Sequence, residues 1–324
     1  MEKPIIPKLI RHASLRQLQV FEAIARHLSF TRAADELHLA QPTVSAQIKN
    51  LTDVIGLPLF EQVGKKIYLT DAGRKLHRAC RDVFGALGNF EMEAADLKGL
   101  KQGNLRLAVV TTAKYFVPRL LGAFLEGYPQ IDVALKVTNR ERLLERMVEN
   151  LDDLYVIGQP PTDAHFYFEP FMRNPLVMIA PTRHPLANAQ HIELRQLAAE
   201  PFIMREPGSG TRLAVERQFE RSGLKPQIRM ELGSNEAIKQ VVAAGLGIAV
   251  VSAHTLLADG ASGDITVLNV DGFPVYWDWQ IGRLSEKQPS VVAQAFLEFI
   301  TSESAELIKA ERSAGADQLH AASQ

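Results

Sequence analysis

The sequence predicts an all-α helix–turn–helix head with a small β wing, then a long linker helix, then an α/β body of two subdomains. Three observations carry that prediction. Residues 14–55 place apolar side chains at helical spacing on either side of a short turn. Residues 74–97 repeat an apolar residue at alternating steps of four and three. From residue 105 onward, strand-like runs alternate with helical ones, as in a sheet covered by helices.

In the head, Leu15, Leu18, Phe21, Ala25 and Leu28 mark one amphipathic helix. Ser29 and Thr31 are suited to cap a second, Arg32 to Leu37. After a turn at Leu39-Ala40-Gln41, Pro42 fits the first turn of a third helix, where its missing N–H costs nothing. Val44, Ile48, Leu51 and Ile55 then face inward, within about 60° of one another. That leaves Thr43, Ser45, Ala46, Lys49 and Asn50 outside, with Gln47 flanking. Small residues let such a helix enter a major groove, and polar ends reach base edges and phosphates. Phe60–Gln62 and Ile67–Leu69 read as two short strands around Val63-Gly64-Lys65-Lys66, a wing whose lysines suit a phosphate backbone. The bland alternative is a small helical bundle with a solvated charged face.

Charge separates the two readings. The 324 residues carry a net charge of −1, yet residues 1–81 hold 13 Lys+Arg against 7 Asp+Glu, and the remainder 23 against 30. A basic head on an acidic body suits a protein of which one piece meets a polyanion. Hydrophobic residues at 46% and charged ones at 23% exclude a disordered chain. No apolar run reaches the roughly 18–20 residues of a membrane span, and the start lacks a secretory block. The single cysteine, Cys80, excludes a disulfide framework or a multi-cysteine zinc site, and no metal is expected. A reducing bacterial cytoplasm is the expected location.

Residues 15–73 resemble the winged helix–turn–helix of LysR-type transcriptional regulators almost end to end. The pieces that carry the resemblance are Ser29-Phe30-Thr31-Arg32-Ala33-Ala34, Gln41-Pro42-Thr43-Val44-Ser45, Leu57-Pro58-Leu59-Phe60-Glu61 and Leu69-Thr70-Asp71-Ala72-Gly73. Together with the helical pattern they mark Ser29, Thr31, Arg32, Gln41, Pro42, Thr43, Ser45, Gln47, Lys49, Lys65 and Lys66 as DNA-binding residues, with the head at 1–73, its helix–turn–helix at about 31–50 and its wing at about 60–69.

Along the linker, 74–98, the seam is Leu76, Cys80, Val83, Leu87, Phe90, Ala94 and Leu97. So narrow a seam calls for a second helix, and a homodimer supplies it. Two paired heads then predict an inverted-repeat operator in double-stranded promoter DNA. Gly85 and Gly88 lie off the seam and weaken the helix. On the seam, Cys80 reads as a small packing residue rather than a redox sensor. The resemblance implies a homotetramer formed through the bodies, with RNA polymerase as a further candidate partner.

A hinge is expected at 99–104. Strands are read at Leu105–Val110, Ile131–Val137, Asp153–Ile157, Phe202–Met204, Ile228–Glu231 and Ile248–Val251, with helices between them and a last helix at Pro289–Thr301. The strand and helix alternation points to a parallel sheet. The resemblance implies an effector-binding domain over 105–304, built like periplasmic solute-binding proteins. Subdomain I would be about 105–172 plus 283–304, subdomain II about 173–282, and 305–324 a tail. Ligands of such sheets sit at strand C-termini, where helix N-termini offer N–H donors. Four loops qualify, carrying Thr111, Thr112 and Lys114; Asn139 and Arg140; Ser209, Gly210, Thr211 and Arg212; Ser234 and Asn235. With Gln159 they would line an interdomain cleft for a small anion, although each loop taken singly is also an ordinary helix cap.

Val137–Arg146 and Asn150–Pro161 resemble regulators of Calvin–Benson carbon-fixation (RuBisCO) operons. That resemblance implies a phosphorylated carbon-fixation metabolite or NADPH as effector and no resident cofactor. Two alternatives remain open: a LysR-type regulator of another metabolic operon with a different organic acid, and a metabolic enzyme carrying a DNA-binding appendage. Against the enzyme, the nine histidines form no His-Glu-x-x-His, and no Gly-x-Ser-x-Gly elbow occurs. His184 and His191 read as surface residues and Asp152-Asp153 as a turn. A solute carrier for transport would have no use for the basic head.

Overall fold

A computed structural model describes residues 8–64, 66–96, 102–257 and 263–302. The chain forms two compact units that divide between Glu91 and Met92. In the first, a short α1 (Lys8–His12) precedes α2 (Leu15–His27), α3 (Phe30–Glu36) and α4 (Gln41–Ile55). Ser14 opens α2 with a reciprocal capping box to Gln17, and Leu28 ends it in the left-handed region. Ser29 caps α3 by accepting from the Arg32 N–H at 3.3 Å, so the helix starts at Phe30 and Thr31 lies inside it rather than capping it. Val44, Ile48 and Leu51 of α4 pack against Val20, Phe21 and Ile24 of α2, while Ile55 is only half-buried.

Strands β1 (Phe60–Val63) and β2 (Lys66–Leu69) form the wing, with Val63 paired to Lys66. Lys66 therefore belongs to a strand rather than to the turn, and Lys65 lies outside the described residues. The linker helix α5 (Asp71–Asp96) begins three residues earlier than the sequence pattern indicates. Gly73 permits that start: a Cβ there would collide with the Leu59 carbonyl oxygen.

The seam of α5 divides. Leu76 packs on the head's core and Cys80 is only 1% exposed within it, whereas Val83, Leu87 and Phe90 are 42%, 45% and 66% exposed. Cys80 is thus removed from the pairing seam, because the head uses the first helical turns to close its own core. Ala94 is half-buried, Leu97 lies outside the described residues, and the helix runs unbroken through Gly85 and Gly88.

The second unit starts with β3 (Gln102–Val110), so the last part of the expected hinge is strand; residues 99–101 lie outside the described residues. A 3-10 turn (Thr111–Tyr115), α6 (Val117–Gly127), β4 (Gln130–Thr138), α7 (Arg140–Val148) and β5 (Leu154–Ile157) follow. Then come β6 (Phe166–Pro181), α8 (Leu194–Leu197), β7 (Pro201–Arg205), α9 (Gly210–Arg221), β8 (Gln227–Leu232) and α10 (Asn235–Ala243). The chain closes with β9 (Ala249–Ser252), α11 (His254–Leu257), β10 (Ile265–Val267), β11 (Val275–Leu284) and a helix α12 over residues 291–302.

Strand β3 pairs parallel with β4 and β5, but the long β6 and β11 pair antiparallel, as do β6 and β9. The sheet is mixed, not wholly parallel. Its two long strands are the crossovers. Around the facing pair Asn174 and Trp277 they pass from one hydrophobic core to another. The first core holds β3, β5, α6 and α12 residues such as Leu107, Val156, Phe124 and Phe296; the second holds Leu176, Phe202, Phe219 and Val250. Trp279 and Ile281 pack in the first core, so the second crossover lies near residue 278 rather than at 282/283.

Candidate functional site

In the head, Gln41, Pro42, Thr43, Ser45 and Lys49 are exposed along α4, and Gln47 is half-buried beside them. The N-cap of α4 is Ala40, which supplies no side-chain acceptor. The Thr43 and Val44 N–H groups both donate to the Ala40 carbonyl, at 2.9 and 3.2 Å, and Pro42 has no N–H, so the helix start exposes its positive dipole end without a side-chain cap. Thr31 and Arg32 are exposed on α3, and the Arg32 guanidinium donates to the His27 carbonyl at 2.8 Å. Ser29 is half-buried, its oxygen engaged as a cap. Behind this face, Glu36 accepts from Arg26 and His27, each at 2.5 Å, which ties α3 to α2. Those bonds, Arg26 first, hold the Glu36 carboxyl down at about 2. Burial, reinforced by Glu22, pushes the Cys80 thiol up to about 12, so it stays protonated and unreactive.

In the body, the ends of β3, β4 and β5 and the starts of α7 and α9 surround an open cleft. Of the residues expected there, Thr111, Thr112, Asn139, Arg140, Gln159, Ser209, Gly210 and Thr211 line it. Asn139 caps α7 by accepting from the Arg142 N–H at 3.0 Å. The Ser209 side chain makes no cap bond to α9 and is 6% exposed. Arg140 donates from Nε to the Gln159 carbonyl at 3.0 Å and forms no ion pair among the described residues. Burial, then the neighbouring Arg217, lowers its pKa, the mark of a cation held without a counter-charge.

Four expected residues stand elsewhere. Lys114 pairs with Glu236 at 2.7 Å, and Arg212 pairs with Glu216 at 2.7 Å and Glu231 at 2.6 Å, so neither ammonium nor guanidinium is free for the cleft. Ser234 caps α10, and Asn235 is wholly buried, accepting from Arg205 at 2.8 Å. The cleft takes instead Asn174, Leu176, Arg205, Trp277 and Trp279, which the sequence reading missed. Arg205 is 3% exposed and bidentate to its neighbour Glu206 at 2.7 and 3.0 Å. A charged pair directly after a buried apolar strand was the available signal for it. The two tryptophans sit on the crossover strand, where the sequence shows no helix-entry loop. Among the described residues the buried Trp279 Nε1 and Asn235 Nδ2 have no acceptor.

An arginine without an ion pair among the described residues, several hydroxyls and the N-terminus of α9 are groups that can hold a small anion.

Comparison with known proteins agrees with both units. Residues 15–74 match the model of the bacterial regulatory helix-turn-helix protein, lysR family, and residues 98–305 that of the LysR substrate binding domain. The chain is 51% identical, over 90% of its length and 96% of the relative's, to the HTH-type transcriptional activator CmpR of Synechocystis. It is 50% identical to the RuBisCO operon transcriptional regulator of Acidithiobacillus ferrooxidans, covering 92% of this chain and 96% of that one. Among solved structures, the Synechocystis CcmR regulatory domain in complex with 2-PG is 51% identical, with a TM-score of 0.61, covering 63% of this chain and 98% of that one. With both family models matched in order along its length, this chain belongs to the LysR family, and it is a DNA-binding transcriptional regulator, not an enzyme.

Proposed function

We propose that this regulator controls carbon-fixation genes from the cytoplasm and that a small phosphorylated acid in the body's cleft sets its activity. The single observation that carries the ligand class is Arg140, half-buried, held by a carbonyl and without an ion pair among the described residues. An anionic ligand there supplies the counter-charge that Arg140 lacks among the described residues. The 2-PG (2-phosphoglycolate) in the CcmR regulatory domain is such a ligand, and the relatives' RuBisCO role supplies the gene class.

On the DNA side, α4 enters the major groove with Thr43, Ser45, Gln47 and Lys49 at base edges and phosphates, while Gln41 and Pro42 bring its uncapped end to the backbone. Lys65 and Lys66 of the wing reach a neighbouring phosphate. Val83, Leu87 and Phe90 pair with a second copy, which makes the operator an inverted repeat. Two such dimers joined through their bodies form a tetramer, and closure of each cleft alters how the bodies pair and so the spacing of the heads. RNA polymerase is the further partner of an activator of this kind.

Titration calorimetry with 2-phosphoglycolate tests the ligand. The wild-type chain should bind at micromolar to millimolar concentration, and Arg140→Ala should lose at least about tenfold, the loss expected for one charge-assisted hydrogen-bond donor. Equal affinity for both would place the site elsewhere.

A further inference from the structure

A carboxylate outside the ligand cleft joins the two subdomains of the body. Glu236 stands in the first turn of α10, an element of the second subdomain whose Ile238 and Val242 pack with Val177 and Ile179. Across from it, Lys114 and Tyr115 belong to the 3-10 turn after β3, in the first subdomain, where Ala113 and Phe116 are core residues. The Lys114 ammonium and the Tyr115 hydroxyl both lie 2.7 Å from Glu236 Oε1, and the Ser234 hydroxyl donates to Oε2 at 2.7 Å. The Tyr115 ring has the Lys114 and Lys239 ammonium groups 5.2 Å from its centroid, and such cation–π contact fixes its direction.

Both carboxylate oxygens are therefore occupied, one of them by two donors from the opposite subdomain. None of Lys114, Tyr115 or Glu236 lines the ligand cleft. A second link crosses between the subdomains where the Glu141 N–H, at the start of α7, donates to the Gly208 carbonyl at 3.2 Å. Gly208 holds a φ of +81°, and a Cβ there would collide with the Glu141 side chain, so the loop comes this near only as glycine.

We propose that Glu236 is a latch that holds the two subdomains together before any ligand arrives, so that the cleft is presented to the ligand already narrowed. Lys114, a cation suited by type to the ligand, is committed to this latch instead. The latch acts as a positioning device: it raises ligand affinity through the position of Arg140 relative to Ser209 and Thr211, without touching the ligand. It goes beyond the ligand reading and does not depend on the ligand's identity.

Hydrogen exchange on the full-length protein, without ligand, tests it. Glu236→Gln keeps the shape of the side chain and the capping by Ser234 but removes the charge. It should raise exchange at 139–143 and 206–211 by about tenfold, the size of effect expected when one charged hydrogen-bond acceptor of a local opening is lost. Amides of β3 and β5 should keep their protection. Lys114→Met should act in the same direction, and the Lys114→Met/Glu236→Gln double variant should open no further than Glu236→Gln alone, since both remove one interaction. Wild-type exchange in Glu236→Gln overturns the proposal. So does a rise spread over β3 and β5, which would report loss of the fold instead of opening. Calorimetry with 2-phosphoglycolate on the same variant separates the two ideas: raised exchange with unbound ligand in wild type and variant alike leaves the latch standing and removes the ligand reading.

Discussion

Side chains of the right chemistry were legible in the sequence wherever a loop led into a helix, but their commitments were not. Lys114 and Arg212 have the charge an anion site wants, yet each spends it on a carboxylate brought near by another element. Arg140 alone of the expected cations keeps its charge uncompensated among the described residues. Sequence cannot show such pairings, because Glu231 and Glu236 are distant along the chain. Arg205 escaped notice for the converse reason: its strand, Pro201–Arg205, reads as core up to its last residue. At this scale Thr43→Ala or Ser45→Ala should cost operator discrimination by about 1–3 kcal/mol per lost base contact and leave nonspecific affinity nearly intact. Gel-shift titrations on operator and scrambled DNA measure both, and uniform weakening would argue against base contact. Cys80, buried and protonated to about pH 12, should resist iodoacetamide at pH 8 in the native protein and react on unfolding.

Periodicity located α2, α4 and α5 well, because a helix that buries one face must repeat its apolar residues on that face. It does not say against what the face is buried. The seam of α5 reads as one stripe, but the structure gives Leu76 and Cys80 to the head and leaves Val83, Leu87 and Phe90 outward. Hence, if these three side chains form the proposed dimer seam, Phe90→Asp or Leu87→Asp should give monomers in sedimentation experiments without lowering helix content, whereas Cys80→Asp should unfold the head. The crossovers were expected as connections, but their character as long strands was missed for another reason. Pro170, Pro175 and Pro181 make β6 look like loop, yet Pro170 sits where the β6–β11 register shifts, a bulge that tolerates a residue with no N–H. The wing offers a direct electrostatic check. Lys66→Ala should reduce the slope of log K against log salt by about 0.9, one phosphate contact. The clamp of α3 on α2 has its own pH dependence. The Glu36 carboxyl lies at about 2, below its ordinary 4.5, so its contribution is complete above pH 4.5 and lost as pH falls towards 2. Glu36→Gln should flatten the acid limb of the head's unfolding curve across that window.

At the scale of the whole molecule, the division of labour was written in charge before any fold was known: a basic head and an acidic body. The body has hydrophobic cores on either side of the cleft, joined through the crossing strands β6 and β11 and through the contacts of Glu236 and Gly208. Packed units joined in this way change their angle more readily than a single core does. Ligand can then shift the regulator only as far as it prefers the closed body, about 1–3 kcal/mol for couplings of this kind. The proposed function requires that an anion at Arg140 change how paired heads hold promoter DNA. Nuclease footprinting of the full-length protein on the promoter beside its own gene, with and without 2-phosphoglycolate, reads that change. Wild type should protect an inverted repeat and change the extent of protection when the ligand is added, and Arg140→Ala should give the ligand-free pattern under both conditions. A ligand-induced change that persists undiminished in Arg140→Ala, or no protected promoter DNA at all, would contradict it.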